Sequence, residues 1–146
     1  MLERAGPSII VANHNGLFDI FVLAAWLPGD FRFVAKKEVL RIPVIGPAIR
    51  RAGHVVVDRA SGMGMRSALG LAARSTSNVV FAEGHRFGDG AIHDFKRGAA
   101  WIALKSGLPC VPLAIGGGAD VFPRGTWYAR VGRTITLTFG APLAAD

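Results

Sequence analysis

Short runs of β-branched and aromatic residues alternate along the chain with longer stretches of helical pattern, and this alternation restricts the fold more than any other feature. The runs Ile9 to Ala12, Phe31 to Ala35, Val55 to Asp58, Asn78 to Ala82, Cys110 to Ile115 and Thr134 to Thr138 read as strands. Helices are expected over Phe18 to Leu27, Met63 to Ala73 and Lys96 to Ser106, with a shorter one near Val44 to Arg51. Pro28-Gly29 stops the first helix, and Gly107 follows the third. A repeated β-α order predicts an α/β fold: a single-domain sandwich with a mostly parallel central sheet flanked by helices. With 146 residues and 51% hydrophobic content, the chain fills one sizeable core and is too short for two ordinary domains. Ala119 to Gly132 reads as irregular and as a candidate cover for a site.

The first strand runs into Asn13-His14-Asn15-Gly16-Leu17-Phe18-Asp19, which sets a histidine and a carboxylate five residues apart at a strand-to-helix turn. Open α/β sheets bind their ligands at such turns. An imidazole beside a carboxylate suits general-base work, because the carboxylate holds one tautomer and stabilises the cation formed when the ring takes a proton. The same residues also suit a capped helix start with a satisfied histidine.

Seventeen Lys plus Arg against ten Asp plus Glu give a net charge of +7, which favours an anionic partner. The cations are spread along the chain, and neither zinc-finger spacing nor an RNA-binding aromatic signature accompanies them, so no nucleic-acid partner is expected. The four histidines lack metal-ligand spacing, and no catalytic metal is expected. The single cysteine, Cys110, lies in an apolar run and reads as a structural thiol rather than a nucleophile. No secretory signal is seen at Met1-Leu2-Glu3-Arg4, and Ile20 to Leu27 falls well short of the ~20 residues that span a bilayer, so no transmembrane segment is expected.

Three later segments complete a pattern with the first: Gly53-His54-Val55-Val56-Val57-Asp58-Arg59, Phe81-Ala82-Glu83-Gly84-His85-Arg86 and Val111-Pro112-Leu113-Ala114-Ile115. In order and spacing, these four blocks resemble those of the glycerolipid acyltransferases, in particular the lysophosphatidic acid acyltransferase (PlsC-like) family. The resemblance extends to Lys37-Glu38-Val39-Leu40 and to Phe95-Lys96-Arg97-Gly98-Ala99. It implies transfer of a fatty acyl group from an acyl thioester to the free hydroxyl of a lysophospholipid, 1-acyl-glycerol-3-phosphate in the first instance. His14 would be the general base and Asp19 its orienter. Arg59 and Arg86 would hold the acceptor's phosphate, for which a guanidinium fork is suited. Glu83, Gly84 and Lys37 would complete the substrate site, with Gly84 letting the turn expose Glu83 and Arg86 toward one pocket. For Arg59 a surface salt bridge with Asp58 is the competing role, and for Lys37 a solvated position.

No cofactor is implied beyond the donor, acyl-CoA or acyl-carrier protein. The lipid acceptor implies a peripheral enzyme at the anionic, cytoplasmic face of a membrane, with Phe18, Phe21, Trp26, Phe122 and Trp127 as aromatic candidates for the rim. Core packing is favoured for Phe21 and Trp26 because they lie within an apolar helix. Residues 1–146 are expected to form one acyltransferase domain without the N-terminal membrane-docking segment and C-terminal extension that relatives commonly carry. Ala82 stands where the family has proline and His85 where it has threonine, which bears on acceptor identity more than on reaction type. The competing classes are a non-catalytic anionic-lipid or membrane-surface binding domain of the same fold, and a phosphate-ester hydrolase, for which the further metal or phosphohistidine motif is not seen.

Overall fold

The computed structural model describes residues 6–16, 18–58, 76–85, 91–123, 125–126 and 128–145. Strands β1 (Ile9–Ala12), β2 (Phe31–Lys36), β3 (Val55–Val57), β4 (Ser77–Phe81), β5 (Cys110–Gly116) and β6 (Thr136–Phe139) form one sheet in the order β3-β2-β4-β1-β5-β6. The first five are parallel, and β6 closes one edge antiparallel to β5. The α/β sandwich with a mostly parallel sheet is therefore the observed fold.

β1 lies at the centre, with Ile9 paired to both Asn78 and Cys110 and Ala12 to both Phe81 and Leu113. A parallel strand covered on both faces needs apolar side chains throughout, which is why Ile9-Ile10-Val11-Ala12 is a run rather than an alternation. Successive residues point to opposite faces. Ile9, Val55, Val57 and Val80 pack against Ala99, Ile102 and Ala103 on one side, while Ile10, Ala12, Phe33, Val79, Leu113 and Ile115 meet Leu23 and Leu27 on the other. The first face is covered by helix α3 (Gly98–Ser106) and the second by helix α1 (Phe18–Trp26). Truncating a fully buried residue such as Leu23 to alanine costs roughly 2–5 kcal/mol.

The remaining described helices are a 3₁₀ turn over Lys37–Arg41, α2 (Ile45–Arg51) and the single-turn α4 (Gly118–Val121). The 3₁₀ turn and α4 are not foreseen in the sequence reading, since five and four residues are too few to show a period. Helix α3 ends as expected at Gly107, left-handed at φ 68° with its N–H on Ala103 O. It starts at Gly98 rather than Lys96, and the Lys96 N–H donates to Ala82 O at 2.8 Å, tying the entering segment to the end of β4. The expected helix Met63 to Ala73 lies outside the described residues, as do Arg59, Arg86 and Trp127.

Phe21 and Trp26 are not core residues. The face of α1 that meets the sheet is set by the i, i+4, i+8 row Asp19, Leu23 and Leu27, which leaves Phe21 56% and Trp26 77% exposed. Phe18 and Phe122 are half-buried against each other, with ring centroids 5.1 Å apart. No helix among the described residues is long and apolar enough to cross a membrane.

Candidate active site

Because β1 to β5 are parallel, their C-terminal ends share one edge of the sheet, and the chain turns there into each block singled out in the sequence. His14 follows β1, Lys37 follows β2, Asp58 follows β3, Glu83 follows β4 and Gly118 follows β5. The first turn of α1 buries Asp19 completely, on the same helix face as Leu23 and Leu27. Its Oδ2 accepts the Asn15 and Gly16 backbone N–H groups, each at 2.8 Å, and lies 3.0 Å from His14 Nδ1. Successive N–H groups aimed at one oxygen form an anion nest that fixes the carboxylate before the imidazole meets it. A carboxylate offers no proton, so Nδ1 carries the hydrogen and Nε2 keeps its lone pair for a substrate.

Three further contacts hold the histidine. The Phe81 ring, at the last position of β4, lies parallel to the imidazole at 3.9 Å between centroids, tilted by 19°. The His14 backbone N–H donates to Glu83 Oε1 at 3.1 Å. Asn13 bridges to β5 with both halves of its amide, Nδ2 donating to Ile115 O at 2.9 Å and Oδ1 accepting from Ile115 N–H at 2.7 Å. This pair mimics one more rung of a sheet ladder beyond the end of β1, so the backbone entering the turn is held from both sides. The His14 side chain remains 14% exposed.

Glu83 departs from its expected place. The turn is as anticipated, with Gly84 at φ 79° and its N–H on Phe81 O, but it does not expose the carboxylate. Glu83 is fully buried behind His14, where it satisfies a backbone donor that the turn would otherwise strand. Gly84 is buried beside it, and His85 is exposed. Lys37 lies at the same sheet edge, exposed, 3.3 Å from Asp58 Oδ2. Arg59 and Arg86, expected to converge on His14, lie outside the described residues.

Asn13, Phe81 and Gly118 are the site residues that the sequence reading assigns no role. Asn13 and Phe81 are legible only in part, as polar and aromatic residues at the ends of the two strands that flank the turn. Cys110 is half-buried against the α3 face of the core, and burial pushes its thiol pKa upward, which favours the protonated form. Among the described residues no group of three or more His, Cys, Asp or Glu side chains is placed to hold a metal ion.

The chain is similar to known proteins over most of its length. A 1-acyl-sn-glycerol-3-phosphate acyltransferase of Limnanthes alba is 33% identical over 144 residues, which cover 95% of this chain and 51% of that protein. The chloroplastic enzyme of that name from Brassica napus is 33% identical over 124 residues, 82% of this chain and 36% of that one. The Helicobacter pylori enzyme of the same name is 34% identical over 122 residues, 80% and 52%. The chain thus spans about half the length, or less, of the curated relatives it matches. The crystal structure of the 1-acyl-sn-glycerophosphate (LPA) acyltransferase PlsC from Thermotoga maritima superposes with a TM-score of 0.81 at 30% identity, over 97% of this chain and 57% of that one. The family model named Acyltransferase matches residues 1–116, which include the His14–Asp19 turn and the strands around it. The chain belongs to the acyltransferase family.

Proposed function

We propose that this protein moves a fatty acyl group from an acyl thioester, acyl-CoA or acyl-carrier protein, to the free hydroxyl of a lysophospholipid, with 1-acyl-sn-glycerol 3-phosphate the preferred acceptor. The observation that carries this reading is the 3.0 Å contact between His14 Nδ1 and an Asp19 carboxylate already fixed by two backbone donors. The names of the relatives supply the substrate class.

His14 Nε2 takes the hydroxyl proton as the acceptor oxygen attacks the thioester carbonyl. The tetrahedral intermediate collapses with cleavage of the C–S bond, and the imidazolium returns its proton to the departing thiolate. No acyl-enzyme forms, and Asp19 stays hydrogen-bonded to Nδ1 throughout. A positioned general base of this kind contributes roughly 10² to 10⁴ in rate. Arg59 and Arg86 hold the acceptor's phosphate, and Lys37, at the same sheet edge, adds positive charge. The acceptor is met at an anionic membrane surface, on the cytoplasmic face.

The test is an assay of the purified protein with labelled acyl-CoA or acyl-carrier protein and a panel of phosphorylated and unphosphorylated lysolipids. Acyl transfer that is lost in a folded His14→Ala protein supports the reading, and transfer that survives in it overturns the mechanism. Arg59→Gln and Arg86→Gln should chiefly weaken use of the phosphorylated acceptor, with lysine at either position rescuing only in part. Equal losses on both acceptor types would remove the two arginines from the phosphate site.

A further inference from the structure

Val44 is the only non-glycine residue with positive φ among the described residues. At φ 69° and ψ −49° it forms the centre of a γ-turn closed by the Ile45 N–H on Pro43 O at 2.8 Å. A branched Cβ is among the least suited to this conformation, and a glycine or asparagine would enter α2 here at less cost. Burial offers no compensation, since Val44 is 83% exposed and Ile42 is 44% exposed, with Pro43, Pro47 and Ala48 exposed around them. A strained, apolar and uncovered residue is one whose use lies outside the folded chain.

The turn is also rigidly presented. Gly46 is buried where any Cβ would overlap the Leu40 carbonyl, so the 3₁₀ turn and α2 are pressed backbone to backbone beneath the tip. The connection leaves β2 at the sheet end that carries His14. From residue 36 to residue 51 it bears five cations, Lys36, Lys37, Arg41, Arg50 and Arg51, against the single anion Glu38. Lys37, Arg41, Arg50 and Arg51 are all exposed; Lys37 is paired with Asp58, Arg50 and Arg51 end α2, and Arg41 directly precedes the tip.

We infer that the Ile42–Val44 tip is a docking element for an anionic lipid surface. Its apolar residues enter the headgroup region and the flanking cations pair with lipid phosphates, which brings the His14 end of the sheet to the bilayer. This rests on the reading of the acceptor as a membrane lipid. Charge complementarity selects the occupant: an exposed apolar tip directly beside Arg41, on a connection that carries five cations against one anion, fits a negatively charged interface.

The experiment is sedimentation of the full chain with phosphatidylcholine vesicles, with and without phosphatidylglycerol, comparing wild type with Val44→Gly, Val44→Asp and Arg41→Gln. Val44→Gly relieves the strain, so its thermal midpoint should equal or exceed that of wild type while its vesicle-bound fraction falls several-fold. Arg41→Gln should weaken partitioning by about fivefold at low salt, the loss expected for one cation near the surface. Acyl transfer to a short-chain, monomeric lysolipid should be unchanged in each. Wild-type partitioning retained by both Val44 variants overturns the inference. So does a wild type that ignores anionic vesicles, or a Val44 variant impaired only with an acidic carrier protein. If vesicle binding responds as expected but no lysolipid is acylated, the docking element stands and the proposed reaction falls.

Discussion

Gly118 faces Asp19 so closely that a Cβ at residue 118 would sit 3.0 Å from Asp19 Oδ1. This oxygen is buried and has no hydrogen-bond partner among the described residues, so the carboxylate is located by Oδ2 alone and by the room left for Oδ1. Gly118 starts α4 with no positive φ, and alanine suits its backbone. Gly118→Ala should therefore fold normally while displacing the Asp19 carboxylate that holds His14. A shift of a few tenths of an ångström should lower kcat by up to about 10-fold, less than the ~100-fold of a 1 Å misplacement. Gly116→Ala, where a Cβ meets nothing within 4 Å, is the control and should be near neutral. Equal activities for the two variants would show that Asp19 has slack.

His14 and Asp19 act as one unit, so their losses should not add. His14→Ala is expected to lower acyl transfer by roughly 10² to 10⁴, and Asp19→Asn to lower it substantially by offering Nδ1 the wrong partner. The double variant should be little worse than His14→Ala alone. Kinetics on all three variants, with circular dichroism to verify folding, check this, and multiplicative losses would separate the roles.

Among the described residues Glu83 makes one side-chain hydrogen bond, its buried Oε1 accepting the His14 N–H. Glu83→Gln keeps an Oε1 for the His14 N–H and should retain most stability and activity. Glu83→Ala strands that donor, at a cost of about 1–3 kcal/mol beyond any cavity. A lower thermal midpoint accompanied by lost turnover is the expected outcome for alanine alone. Equal damage from glutamine would assign the residue's effect to its charge and restore a role toward substrate.

His54 makes stability depend on pH. Burial chiefly, with the Arg32 guanidinium adding to it, lowers its pKa below the ordinary value of 6.5. Its Nδ1 accepts the Phe33 N–H at 3.3 Å, a bond that only the neutral ring can make. The unfolded chain therefore binds the proton more readily, and stability rises with pH through this window. The contribution is fully present above about 6.5 and is lost as pH falls toward the lower folded value. Denaturant midpoints measured from pH 7.5 down to pH 5 should fall for wild type and fall less for His54→Asn. Parallel curves would refute the assignment.

The sequence alone determines the parts of this protein that depend on neighbours along the chain. The strand runs, the α1 and α3 patterns, the stop at Gly107 and the His14–Asp19 spacing are local, set by periodicity and by backbone preference, and each is legible without coordinates. Boundaries slip by a residue or two, as where α3 starts at Gly98 rather than at Lys96. What the tertiary structure decides is which side of a residue faces inward. α1 is apolar enough that Phe21 and Trp26 read as core, yet only the row Asp19, Leu23, Leu27 meets the sheet. Glu83 reads as an exposed ligand in its block, yet strand order places β4 directly beside β1, and the His14 N–H lies there in need of an acceptor. The stacking of Phe81 on His14 joins residues 67 positions apart in sequence, and the bridge from Asn13 to Ile115 joins residues 102 apart. Such pairings follow from sheet order, a property of the whole chain that no local pattern encodes.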